Sequence, residues 1–322
     1  MFLGIEIGGM KLQLGVGRGD GALVALARLS VDPRGGAEGI RQQLARAVPP
    51  LLEAHQIAAV GFGFGGPVDA AAGRTIVSHQ IEGWRDFPLV DWARRTFGLP
   101  ALLANDSDSA GLAEARFGAG REARVVFYSN VGSGIGGALV IDGQLYQGGS
   151  GLASEPGHLR PGLDCQQPEQ TVESLASGWA ITALVRDRLA QDPQGRATDV
   201  ADLLHRCDGD RQRLSTQLIA QAAASGNRLA VEALDRACRV FGWALAQMVT
   251  LVAPNVVVVG GGVSLIGEAL WLAPLRRYVR QYVFPPLRDA FEVRPAQLGE
   301  EVVVHGVLAL LSSRPPQPAS PA

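Results

Sequence analysis

The sequence predicts a duplicated α/β fold, and three observations predict it. A strand, glycine turn and second strand occupy Phe2 to Val16, and the same pattern recurs from Arg124 to Ile141. An Asp-Gly pair follows each copy, at Asp20-Gly21 and Asp142-Gly143, where a hairpin turn is expected. Helical and strand-like segments then alternate behind each copy. A repeat this long is not a solenoid. Two such domains facing each other leave a cleft, and ligand sites favour domain interfaces.

The elements follow in order. Phe2 to Ile7 reads as a strand broken by Gly8-Gly9, Leu12 to Val16 as a second and Ala22 to Leu29 as a third. Gly39 to His55 is helical, with Ile40, Leu44, Val48 and Leu51 at helical spacing. Ile57 to Phe64 is a strand, Leu89 to Phe97 a helix, Pro100 to Ala104 a strand and Ser109 to Phe117 a helix closed by Gly118. In the second copy, Arg124 to Ser129, Leu139 to Ile141 and Gln144 to Tyr146 are strands. Long helices are expected over Thr171 to Leu189 and Leu229 to Val252. A strand over Val256 to Val259 and a helix from Ile266 to Val279 come after them.

Composition excludes several classes. The 322 residues are 47% hydrophobic, enough for a full core and two domains. No charge-free apolar run is long enough to span a bilayer, and Met1 leads into a strand with no signal-peptide pattern. Cys165, Cys207 and Cys238 are few and scattered, which suits reduced thiols in a cytoplasmic protein. Lys plus Arg number 29 against 31 Asp plus Glu, so no basic footprint for nucleic acid or membrane is expected. The Pro-rich stretch 314–322 is expected to be a disordered tail.

The glycine turns are followed by strands rather than helices, which argues against Rossmann and Walker sites. A hairpin whose backbone amides line a concave turn remains as a phosphate-binding design, and each domain supplies one. Gly8-Gly9 can equally be a plain hairpin, Lys11 a solvated strand residue and Ser133 a self-capping turn serine. Asp106 stands just past a buried strand, at the edge where α/β sheets bind ligands. It can also be a helix cap, with Asp108 as a competing cap. Glu155 and His158 lie in one glycine-rich loop and can grip vicinal hydroxyls, or simply be solvated. Glu173 can serve a helix dipole.

Taken in order, these segments resemble the ROK family of sugar kinases in the actin-like ATPase superfamily. The carriers are Gly4 to Lys11, Gly65-Gly66-Pro67-Val68-Asp69, Asn105-Asp106 and Gly132-Ser133-Gly134-Ile135-Gly136. Glu155-Pro156-Gly157-His158 and Pro254-Asn255 with Gly260-Gly261-Gly262-Val263-Ser264 complete the set. The resemblance covers Gly4 to about Leu310. It implies duplicated actin-like (ribonuclease H-like) domains, each a mixed sheet flanked by helices, around a central cleft. The smaller would span 1–117, rejoined by a C-terminal helix at about 302–313, and the larger 118–301.

The implied activity is ATP- and Mg²⁺-dependent phosphorylation of a hexose hydroxyl, the 6-hydroxyl being expected. Asp106 would be the general base. Asn105, Glu155, His158 and Glu173 would bind sugar hydroxyls, with Gly66 contributing backbone. Gly8, Gly9, Lys11, Gly132 and Ser133 would meet the phosphates, and Gly261 and Gly262 the adenosine. Glu6 would orient the magnesium shell through water. ATP would sit across both hairpins, and domain closure would expel water. A homodimer is implied as well.

Three departures from the family pattern stand out. Glu6 replaces the usual Asp, Met10 the usual Thr, and the cysteine-rich zinc cluster is missing from 162–171, where Cys165 stands alone. One cysteine and one histidine cannot close a four-ligand site, so no structural zinc is expected. Glucose is the default acceptor, with N-acetylmannosamine, fructose, mannose and allose left open. Two competing readings are a sugar-binding pseudokinase, motivated by Met10 and Glu6, and a sugar-binding regulator. Against the DNA-binding form of the latter, the chain begins directly at its first strand.

Overall fold

The computed structural model describes residues 1–192, 197–314 and 316. The expected tail therefore lies outside the described residues except for Arg314 and Pro316. The first elements are β1 (Phe2–Ile7), β2 (Lys11–Gly17), β3 (Leu23–Ser30), α1 (Gly36–Ala54), β4 (Ala59–Phe64), β5 (Val68–Asp69), β6 (Arg74–Thr75), α2 (Leu89–Phe97), β7 (Ala101–Asn105) and α3 (Asp106–Phe117). Next come β8 (Val125–Val131), β9 (Ile135–Ile141), β10 (Gln144–Tyr146), α4 (Val172–Ala176), α5 (Gly178–Gln191), α6 (Thr198–Arg206), α7 (Thr216–Ala224) and α8 (Arg228–Val252). The chain ends in β11 (Val256–Gly260), α9 (Ala273–Tyr282), β12 (Glu292–Pro295) and α10 (Val302–Ser313).

Two five-stranded sheets share one order, β3-β2-β1-β4-β7 and β10-β9-β8-β11-β12. In the first, β1, β2 and β3 form an antiparallel meander and β4 and β7 extend it in parallel. In the second, β9 and β10 are antiparallel, while β8, β11 and β12 run parallel. The mixed, duplicated α/β architecture expected from the glycine turns is thus present in both sheets. Two compact units result. One holds 1–122, 138–153 and the chain from Gln297 onward; the other holds 123–137 and 154–296.

Within the first unit the sheet has two unlike faces. Leu3, Ile5, Leu14, Phe62 and Phe64 alternate onto one face and share a core with Ile40 and Leu44 of α1 and Leu89 of α2. The other face is paved with glycine. Gly4 pairs across the strands with Gly15 and Gly61. A Cβ on Gly4 would stand 3.1 Å from the Val304 carbonyl, and one on Gly61 would crowd Val307. Helix α10 can therefore lie against bare backbone, burying Val303, Val304, Val307, Leu308 and Leu311. Each such side chain contributes about 1.5–3 kcal/mol before conformational entropy is subtracted. On the far side of α10, Gly306 meets α3 so closely that a Cβ would overlap the Ser109 carbonyl.

The fully buried Glu114 of α3 ties this unit's chain segments together. Its Oε1 accepts the N–H groups of Gln297 (2.8 Å) and Leu298 (2.9 Å), and its Oε2 accepts that of Ala119 (2.8 Å). Backbone donors thus satisfy both oxygens of the buried carboxyl group. By contrast, Gly39 of α1 has nothing within 4 Å of a Cβ position. Gly39→Ala should therefore raise stability by about 0.5–1 kcal/mol. Thermal melting checks this; a lowered Tm would contradict the open placement.

Several sequence expectations change. The helix expected over Thr171 to Leu189 is two helices broken at Ser177, whose hydroxyl caps α5 through Ala180 N–H. The break lets Gly178 N–H reach the Gly132 carbonyl at 2.8 Å. The helix expected from Ile266 begins instead as a 3₁₀ turn (Gly262–Ile266) and a π turn (Glu268–Leu272), separated by Gly267 at φ 101°. Of the two Asp-Gly pairs expected to turn hairpins, Asp142-Gly143 has two successive positive φ angles, 51° and 70°, whereas at Asp20-Gly21 the glycine alone is positive, at 92°. Around Asp20-Gly21 the connection spans 18–22, and Asp20 accepts Ala22 N–H. α3 starts at Asp106, three residues before the expected Ser109. Helices α6 and α7 and strands β5, β6 and β12 had no sequence expectation.

Candidate active site

In the first unit, the candidate residues converge where β1, β4 and β7 end. Asn105, not Asp106 or Asp108, is the cap of α3. Its Oδ1 accepts Ser107 N–H (2.8 Å) and Asp108 N–H (3.1 Å), and its Nδ2 donates to the Gly66 carbonyl at 3.0 Å. Asn105 thereby locks the strand-to-helix corner and the Gly65-Gly66 loop together. Asp106 is left to point from the first helical turn. Its Oδ1 takes the N–H of Ser107 at 2.8 Å and the hydroxyl of Ser107 at 3.3 Å. A Cβ on Gly65 would lie 3.5 Å from Asp106 Oδ2 and 3.7 Å from the Gly8 Cα. Gly65 thus places only backbone between that carboxylate oxygen and the first glycine turn.

Burial pushes the Asp106 carboxyl up to about 6, opposed by the Ser107 donors and the Lys11 charge. Glu6, 6% exposed, is pushed up to about 7 by burial, with Lys11 opposing and the charges of Asp106 and Glu300 adding to the rise. Lys11 is not a freely solvated strand residue. Its ammonium lies 3.3 Å from Glu6 Oε1 and donates to the Glu300 carbonyl at 3.1 Å. Glu6 Oε2 is buried with no hydrogen-bond partner among the described residues. The turn itself closes through Gly8 N–H to the Lys11 carbonyl at 3.0 Å, and Met10 at its tip is 81% exposed. Gln80, which no sequence signal singled out, covers Gly9: a Cβ there would overlap its amide.

In the second unit, Glu173 sits on the second glycine turn. Its Oε2 accepts Ile135 N–H at 2.7 Å, and a side chain on Gly134 would meet it. The loop Glu155-Pro156-Gly157-His158 packs backbone to backbone on the same place, since a Cβ on Gly157 would overlap the Ile135 carbonyl. Glu155, His158, Glu173 and the turn are therefore one assembly, with His158 exposed and Glu155 half-buried. Ser154, just before Glu155, holds φ 69°, a conformation that a serine adopts at a cost. Gly261 (φ 85°) nests against the Val131 carbonyl with no room for a Cβ.

Gly132, Ser133 and Gly262 meet in a cavity of about 1130 Å³. Its remaining walls come from α5 and from Leu214 into α7, with Trp179, Leu265 and Leu270 giving it apolar surface. The sequence reading missed these walls because their residues carry no motif. Residues 162–171, where the zinc cluster is missing, are fastened by Arg160, which donates to the carbonyls of Cys165 (3.5 Å) and Gln166 (3.0 Å). Among the described residues no three His, Cys, Asp or Glu side chains group to hold a metal, and no helix is long and apolar enough to cross a membrane.

Comparison with known proteins bears on the family and the fold. The family model for the ROK family matches residues 2–314. A glucokinase of Streptomyces coelicolor is 32% identical over 321 residues, 98% of each chain. The crystal structure of a ROK family glucokinase from Streptomyces griseus, in complex with glucose and AMPPNP, superposes with a TM-score of 0.81 at 33% identity. That match covers 96% of this chain and 98% of that one. The chain is also similar, at 25% identity over 80% of its length, to 63% of a xylose repressor from Caldicellulosiruptor bescii. A match across nearly the whole chain, with the mixed duplicated sheets and both glycine turns in place, makes this protein a member of the ROK family with the actin-like ATPase fold.

Proposed function

We infer that this carbohydrate kinase transfers the γ-phosphoryl group of ATP to the 6-hydroxyl of a hexose, with glucose as the first candidate and Asp106 as general base. The observation that carries the reading is Asp106 itself: a carboxylate raised to about 6, with Oδ2 facing Gly65 beside the first glycine turn. A base near the working pH combines the ionised form with real proton affinity. The similarity to glucokinases supports both substrates.

The residues divide the work. Asp106 accepts the hydroxyl proton as the sugar oxygen attacks phosphorus. Asn105 holds the corner that aims it, and Gly66 offers backbone to the sugar. Glu155 and His158 bind hydroxyls. Glu173 keeps Oε2 on the turn and offers Oε1 to the sugar. Gly9 and Ser133 give an amide and a hydroxyl to the phosphates at turns that Gly8 and Gly132 close through their own N–H groups, to the Lys11 and Gly134 carbonyls, with Lys11 nearby. Gly262 with its brace Gly261 borders the adenosine. The orphaned, buried Oε2 of Glu6 suits the hydration shell of a magnesium ion, which supplies charge neutralisation on the phosphates.

The raised carboxyl makes activity pH-dependent. Below about 6 the folded enzyme holds the Asp106 proton and the base is lost. kcat/KM for the sugar should therefore fall tenfold per pH unit on the acid side of a limb near pH 6. A pH–rate profile checks this, and a limb centred below pH 5 would remove Asp106 from the role.

A second reading, a sugar-binding protein without efficient catalysis, is favoured by Met10, which offers no hydroxyl at the first turn, and by the similarity to a xylose repressor. Losing one donor to a transferring phosphoryl group costs on the order of 10²-fold when it acts in the transition state. NMR of the product from glucose and ATP separates the readings. The kinase reading expects a phosphoester on the 6-oxygen; saturable sugar binding without any phosphoester would favour the second.

A further inference from the structure

We propose that Arg186 is a positioning residue for the phosphate donor: it fixes the turn from which one wall of the large cavity starts and keeps that wall in register with the second glycine turn. The proposal rests on the reading of this cavity as the ATP site.

Helix α5 faces the cavity with Gly178, Trp179, Thr182, Ala183 and Arg186, the spacing of one helical face. A second wall begins at Leu214 and Ser215, directly after a 3₁₀ turn, Arg211–Arg213, and continues along α7. Arg186 joins the two. Its Nε donates to the Arg211 carbonyl at 3.0 Å, and its Nη2 donates to the carbonyls of Gln212 and Leu214, both at 3.0 Å. One planar fork thus gathers three carbonyls of a single turn, a geometry that an ammonium does not reproduce.

A second link continues from that turn to the phosphate side. Thr216 Oγ1 donates to the Gly178 carbonyl at 3.0 Å, Thr182 Oγ1 donates to the same carbonyl at 2.8 Å, and the two hydroxyls lie 3.2 Å apart. Gly178 N–H in turn donates to the Gly132 carbonyl at 2.8 Å. A continuous polar chain therefore runs from the Arg186-held turn through Thr216 and Gly178 to the second glycine turn. Binding a nucleoside to a wall already ordered avoids the entropy of ordering it. Arg186 also leaves a cation in the wall of a cavity that receives a polyanion.

Steady-state kinetics with ATP and sugar varied separately, for the wild type, Arg186→Ala and Arg186→Lys, test the proposal. Arg186→Ala should raise the ATP KM about 10–100-fold, the scale of lost hydrogen bonds to a charged group. kcat and the sugar KM should stay within about threefold, and Arg186→Lys should recover only part of the loss. Amide hydrogen exchange at 211–217 without nucleotide should quicken in Arg186→Ala. Saturable ATP dependence with an unchanged ATP KM in Arg186→Ala would overturn the role of Arg186. So would equal losses in kcat and both KM values. A wild type with no saturable ATP dependence would instead overturn the reading of the cavity, and the proposal with it.

Discussion

Asp106→Asn should lower kcat for sugar phosphorylation by about 10²–10⁴-fold, the range lost with a positioned general base. Sugar affinity should stay within a few-fold. Asparagine keeps the size of the side chain and an oxygen for the Ser107 donors, while Asn105 continues to cap α3. What it cannot do is accept a proton. The same substitution should alter stability with a definite sign. Between the ordinary carboxyl value of 3.8 and about 6, the folded protein holds a proton on Asp106 that the unfolded chain releases. The ionised carboxylate therefore costs stability above about pH 6, and that cost disappears as the pH falls below the unfolded value. Asp106→Asn should raise Tm at pH 8 and leave it nearly unchanged at pH 4. Turnover within threefold of wild type would remove Asp106 from catalysis, and a lower Tm at pH 8 would remove the burial argument.

The largest effect on stability is expected from Gly306→Ala. A Cβ at this position overlaps the Ser109 carbonyl, which is backbone of α3 and cannot rotate away. Relief requires α10 to slide or tilt, and α10 is held on its opposite face by the glycine-paved sheet at Gly4, Gly15 and Gly61. Overpacking commonly costs about 1–3 kcal/mol, and backbone overlap on both sides of a helix belongs at or above the upper end. A fall in Tm of roughly 6–12 °C follows for a unit of this size. The comparison with Gly39→Ala matters because both add one methyl group to a helix, yet the expected signs are opposite. Equal Tm values for Gly306→Ala and the wild type would mean that α10 does not pack as described.

The sequence made the duplicated sheets legible because alternation and glycine punctuation are local signals. Phe2 to Val16 and Arg124 to Ile141 needed only their own residues to be read. Asp106 was legible as a carboxylate at a sheet edge, but its competing role as a cap was settled by Asn105, whose amide spans Ser107 and the distant Gly66. Glu173 illustrates the same limit. A helix-start glutamate in sequence, it proves to hold the second glycine turn 38 residues away. The break at Ser177 was hidden because continuous helical periodicity says nothing of the Gly132 carbonyl that Gly178 must reach. Glu114 and Arg186 were invisible for a related reason: their partners are backbone atoms, which no side-chain pattern encodes.

ADP release in the presence of ATP, Mg²⁺ and a panel of hexoses decides whether this protein phosphorylates a sugar. Release should depend on the sugar, with one ADP per phosphorylated sugar, be strongest with glucose and fall by about 10²–10⁴-fold in Asp106→Asn. Sugar binding at ordinary affinity with no sugar-dependent ADP release from any hexose would contradict the kinase reading.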